Sequence, residues 1–132
     1  MNWIKNNQKI VLLSFICVVV GITVLSLIPP ISKISLNKSD KIGHFIAYSV
    51  LTVNGLIIQK YQTKKYWMLI AFIAYGGLME FIQGFVPGRE VSIWDAVANT
   101  SGVLIGFTLI QLIENVSIKK NSKKKPEKNE RF

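Results

Sequence analysis

The chain has 132 residues, half of them hydrophobic and only 17% charged, with a positive mean hydropathy, which excludes an ordinary soluble basic domain. Its formal charge of +9 does not point to nucleic acid, because seven of the sixteen basic residues lie beyond Ile118 in a tail without interleaved aromatics, a distribution suited to anionic lipid. Cys17 is the only cysteine, so neither an intrachain disulfide nor a cysteine-based zinc site is available.

In chain order, residues 10–28 carry no charge over 19 positions, roughly 28 Å of helix at ~1.5 Å per residue, enough to cross a membrane. A cleaved signal peptide is the rival reading, since Lys5 and Lys9 precede the run, but no small-x-small cleavage site follows it and the run exceeds the usual apolar region. Retention as a span is therefore expected. Further apolar runs occupy about 42–59, 66–86 and 93–113, none with the alternation of a barrel strand. Pro29-Pro30 closes the first run and Val86-Pro87-Gly88 the third, where proline blocks helix continuation. The spacing predicts an all-α, integral membrane four-helix bundle over residues 1–113.

Counting Lys and Arg on alternate sides gives twelve on the side of the N-terminus, the 60–65 connection and the tail, against four (Lys33, Lys38, Lys41, Arg89) on the other. Both termini are expected to be cytoplasmic. Trp3, Tyr61, Tyr66 and Trp67 then fall near the inner interface and Trp94 near the outer one. Residues 114–132 hold too few apolar side chains to offset ordering and read as a basic, disordered cytoplasmic tail held to anionic lipid.

The polar residues gather toward the outward end. Asp40 and His44 are four apart on one helix face, with Tyr48 a turn deeper; Glu80 and Gln83 share a face near the end of the third span; Asp95 and Asn99 open the fourth. An ionised side chain at a span centre costs about 2.5–3.5 kcal/mol to insert, so Glu80 should face the bundle, pair with a cation or carry a proton. Arg89 is the expected partner. Plainer roles are open to the others. Ser92 and Asp95 form an S-x-x-D capping pattern, Asp40 suits a helix start, Lys41 can snorkel, His44 can be a hydrogen-bonded structural residue, and Asn99 can bind helices together. Gly102 and Gly106 read as a close-packing ridge.

The blocks DKIGHFIAYSVL at 40–51, EFIQGFVPGR at 80–89 and SIWDAVANTSGVLIG at 92–106 resemble the VanZ-like family of small integral membrane proteins. The resemblance covers roughly residues 25–106 and places the family's signature polar residues at Asp40, Lys41, His44, Glu80, Gln83, Arg89, Asp95 and Asn99. It implies a multi-pass protein of the bacterial cytoplasmic membrane, in a family whose founding member confers low-level teicoplanin resistance; it does not supply a mechanism.

Three function classes follow. In the first, the polar site binds a lipid-linked wall precursor, a lipid headgroup or a glycopeptide; four carboxylates (Asp40, Glu80, Glu90, Asp95) against Lys41 and Arg89 favour a cationic group, while the two cations suit phosphate. In the second, an intramembrane enzyme acts on a phospholipid or polyprenyl-linked substrate, with Glu80 or His44 as general base, Lys41 and Arg89 on phosphate, and Asp95 with Asn99 orienting. No nucleophilic serine motif, metalloprotease box or P-loop is present. In the third, the cluster is a salt-bridge network that fixes the helices. No cofactor, metal or nucleic acid is expected: a divalent ion on His44, Glu80 and Asp95 is chemically conceivable, but zinc sites usually use more nitrogen or sulfur.

Overall fold

The computed structural model describes residues 7–29, 37–58 and 62–123. Four helices follow one another: α1 (Gln8–Leu27), α2 (Asn37–Ile58), α3 (Gln62–Gln83) and α4 (Ile93–Lys123). Each is long and apolar enough to cross a membrane, and the described residues contain no strand. The all-α, four-span expectation is met. Trp3, Lys33, Lys60, Tyr61 and the tail beyond Lys123 lie outside the described residues.

The helices overrun the apolar runs in instructive places. α2 begins at Asn37 rather than near 42, because backbone hydrogen bonding continues past the point where side chains turn polar. α3 stops at Gln83, before Pro87 removes a donor. Val86-Pro87-Gly88-Arg89 is then a tight turn: the Arg89 amide donates to the Val86 carbonyl at 3.1 Å, and Gly88 takes φ 82°, a conformation that favours glycine. α4 does not end at Ile113 but continues to Lys123, so helix replaces the expected disorder over 114–123. No glycine or proline interrupts that stretch, and Pro126 lies beyond it.

Lipid-facing and buried surfaces are inverted relative to a soluble bundle. Leu13, Leu25, Trp67, Phe81, Leu104 and Ile113 are exposed, while Thr52, Lys65, Glu80, Gln83, Asp95 and Asn99 are buried. Apolar side chains meet acyl chains at no cost, so polar groups go where other helices can satisfy them. An apolar centre remains, formed by Ile22, Tyr48, Leu51, Leu69, Phe72 and Val103.

α2 and α4 make the closest pairing. A methyl added at Gly102 would collide with the Phe45 carbonyl oxygen, and one at Gly106 would lie 2.7 Å from the Ser49 carbonyl oxygen. These glycines let two backbones touch, as the GxxxG spacing predicts. The consequence for the site is direct: His44, next to Phe45 on α2, and Asn99, about a turn before Gly102 on α4, are brought into hydrogen-bonding range.

At the opposite end, Lys65 (3% exposed) donates to both carboxylate oxygens of Glu114, at 2.7 and 2.6 Å. This pair ties the start of α3 to α4 and uses a lysine that the sequence reading placed in a connection.

Candidate functional site: a polar cleft at one end of the bundle

α1 and α3 end, and α2 and α4 begin, at the same end of the bundle. The side chains there divide into a capping group, a histidine group and a rim arginine. Ser92 is the N-cap of α4: its Oγ accepts the Asp95 amide at 3.3 Å, and its carbonyl accepts the amides of Asp95 and Ala96. In a complete capping box the carboxylate three residues later would take the N-cap amide. That amide is instead taken by another helix: Ser92 N–H donates to Glu80 Oε1 at 2.5 Å.

This substitution accommodates one oxygen of Glu80; its Oε2 is buried without a hydrogen-bond partner among the described residues. Its carboxylate sits against the amide-rich end of α4, where the helix dipole favours negative charge, and the described residues include no salt bridge between it and Arg89. The expected Glu80–Arg89 pair is therefore not formed. Arg89 instead donates from Nε to the Ile28 carbonyl at 3.2 Å and from Nη2 to the Leu25 carbonyl at 2.9 Å. The last carbonyls of α1 lack amide partners, and a guanidinium is suited to them by charge and by its several donors.

With the capping role taken by Glu80, the Asp95 carboxylate is released. Asp95 is 8% exposed, its Oδ1 accepts no hydrogen bond among the described residues, and the Lys41 ammonium lies 3.9 Å from that oxygen. His44 approaches from α2: its Nδ1 is 3.0 Å from Asn99 Oδ1, while Asn99 Nδ2 points at the Gly76 carbonyl at 3.5 Å. Because the Asn99 oxygen can only accept, Nδ1 carries the proton, so the uncharged form of the ring has its lone pair on Nε2. One ligand atom each from Asp40, His44 and Asp95 lies within 4.8 Å of the others. Glu80 is outside that set, so the grouping differs from the His44, Glu80 and Asp95 trio considered from sequence.

Of these groups, Asp40, His44 and Arg89 border a cleft of about 310 Å³. Ile22, Leu25 and Ala47 give it an apolar wall; Asp40, His44, Tyr48, Gln83 and Arg89 give it polar lining. Two of the lining groups are unsatisfied: Tyr48 OH and Gln83 Nε2 are fully buried atoms without a hydrogen-bond partner. A buried donor left unpaired costs about 1–3 kcal/mol, so both are poised to bond whatever enters.

All eight sequence-derived positions thus lie at one end, in different relations. Asp40, Lys41, His44, Asp95 and Asn99 form one contact group, Gln83 and Arg89 line the cleft beside it, and Glu80 supports the α4 cap. Tyr48 belongs with them and was absent from the expected set, although its position four residues after His44 signalled it. The contribution of α1 through Ile22 and Leu25 carried no signal in an unbroken apolar run.

No curated protein and no solved structure matches the chain. A family model does match, described as VanZ/LLP1, over residues 4–114. That match spans α1, α2, α3 and α4 as far as Glu114, with everything that builds the cleft, and the chain belongs to the VanZ/LLP1 family.

Proposed function

We propose that this protein binds the phosphate-bearing head of a lipid-linked envelope component in the cleft between α1, α2 and α3, and so alters access of glycopeptides of the teicoplanin type to the cell wall. The observation that carries the reading is the two-sided character of the cleft: an apolar wall of Ile22, Leu25 and Ala47 faces the charged side chains of Asp40 and Arg89 and the unsatisfied groups of Tyr48 and Gln83. An amphiphile with a polar head and an acyl or polyprenyl stem meets both requirements at once. Lys41, with its side chain 32% exposed, supplies positive charge near the entrance, while Arg89 shapes the rim through the carbonyls of α1.

The excess of Lys and Arg at the opposite end supports placing the cleft at the outer leaflet, with both termini cytoplasmic. The helical basic segment ending at Lys123 then lies against the anionic inner surface.

A second reading is favoured by one specific contact. Asn99 orients His44 so that the free nitrogen of the ring is a base, which suits an intramembrane enzyme acting on a phospholipid or polyprenyl-linked substrate.

The test uses purified protein in nanodiscs, titrated with a polyprenyl phosphate and, separately, with phosphatidylglycerol. Saturable binding that weakens about tenfold in Gln83→Ala and Tyr48→Phe, each a loss near 1.4 kcal/mol, is the expected result. Turnover lost in His44→Ala selects the enzymatic reading. Absence of binding to both lipids, with teicoplanin susceptibility unchanged when the protein is deleted from its host, overturns the proposal.

A further inference from the structure

The strongest feature that the ligand reading does not use is the meeting of Asp40, His44 and Asp95. We propose that these three side chains hold a divalent cation at the edge of the cleft. Their ligand atoms come from two helices and lie within 4.8 Å of one another, and the α2–α4 glycine contact sets their separation.

Three observations point to an ion rather than to an internal salt bridge. Asp95 is buried, yet its Oδ1 accepts no hydrogen bond, because Glu80 has taken the capping role that would have used it. His44 is held through Nδ1 by Asn99, so the lone pair is left on Nε2; a second ring nitrogen anchored by a polar group is the usual arrangement behind a metal-bound imidazole. Two carboxylates and a neutral imidazole also carry a charge of −2, which a divalent ion neutralises. The Lys41 ammonium, 3.9 Å from Asp95 Oδ1, offsets part of that charge from beyond ordinary hydrogen-bond length. It competes with the ion.

Metal–ligand bonds of about 2.0–2.2 Å place neighbouring ligand atoms roughly 3.0–3.4 Å apart. Binding therefore draws the three groups inward, and Asp40, exposed at the edge, is free to swing. A donor set of one nitrogen and two oxygens, with water or ligand filling the rest, suits Mn²⁺ better than Zn²⁺, which usually takes more nitrogen or sulfur. The ion's role in clamping a phosphate in the cleft rests on the ligand reading above; the ion site does not.

The experiment strips the full-length protein with EDTA in nanodiscs, then titrates Mn²⁺ by electron paramagnetic resonance and Zn²⁺ by calorimetry. One saturable ion per chain is expected, weakened about tenfold or more in Asp40→Asn and Asp95→Asn and about tenfold in Asn99→Ala. Lys41→Met should tighten binding several-fold, an effect that a purely structural cluster would not produce. Asp40 is exposed, so its variant folds and keeps the test valid if a buried one does not. No saturable binding of either ion, or binding indifferent to Asp40→Asn, overturns the site. Ion binding without lipid binding overturns the ligand reading alone; lipid binding insensitive to EDTA overturns the clamp.

Discussion

Glu80 Oε1 accepts the backbone amide of Ser92, so a carboxylate from α3 caps the start of α4. One contact thereby closes the 84–92 connection, satisfies one oxygen of a buried acid while its Oε2 has no partner among the described residues, and frees Asp95 from the cap. A charge-assisted bond of this kind is worth about 1.5–3 kcal/mol. Glu80→Ala should lower unfolding stability in detergent by about that amount, whereas Glu80→Gln, which keeps an accepting oxygen, should lose less than half of it. Equal losses in both variants would show that the cap depends on the charge alone.

Gly102 and Gly106 admit no side chain against α2. Alanine at either position must push the two backbones apart, at a cost of about 1–3 kcal/mol, and should also weaken ligand binding by separating His44 from Asn99. Gly77, with nothing within 4 Å of an added methyl, is the control, and its alanine variant should be neutral or slightly stabilising. Thermal unfolding of the three variants checks this.

Arg89 is tied to the end of α1 by two hydrogen bonds to carbonyls. Lysine cannot reproduce that fork, so Arg89→Lys should behave more like Arg89→Ala than like the wild type. Hydrogen exchange is the readout: amides of the 84–92 turn should lose protection in both variants, while those around Leu56 and Ile110, deep in the bundle, should not. Retained protection in the lysine variant would mean that charge suffices.

The orientation proposed for the bundle has its own test. In a Cys17→Ser background, a cysteine placed at the exposed Glu90 should react with an impermeant thiol reagent added to intact cells, and one at the exposed Lys120 only after lysis. The reverse pattern would put the cleft at the cytoplasmic face and remove the argument for a wall precursor.

Lys65 and Glu114 form a nearly buried ion pair at the far end of the bundle. Removing one partner strands the other, at a cost of about 3–5 kcal/mol when burial is complete; the partial exposure of Glu114 places Lys65→Ala below that range. Ligand and ion binding at the opposite end should be unaffected at temperatures where the variant stays folded. A change in either would show that the two ends are coupled.

The number of spans, their helical character and the gathering of polar residues at one end are all consequences of one-dimensional pattern: apolar length, proline position and the side of the chain on which charges fall. Those quantities survive without coordinates because a bilayer sorts residues by hydropathy alone. Pairing does not survive. From sequence, Arg89 is the natural partner of Glu80 because it is a cation at the same end of the bundle as a buried acid; the fold gives each a backbone group instead, since helix ends present unsatisfied amides and carbonyls that no hydropathy profile displays. The same limit hid the meeting of Asp40, His44 and Asp95. Asp40, His44 and Asp95 were each visible, but which acid was spent on capping and which was left free depended on how α3 meets the start of α4, a relation that exists only in three dimensions.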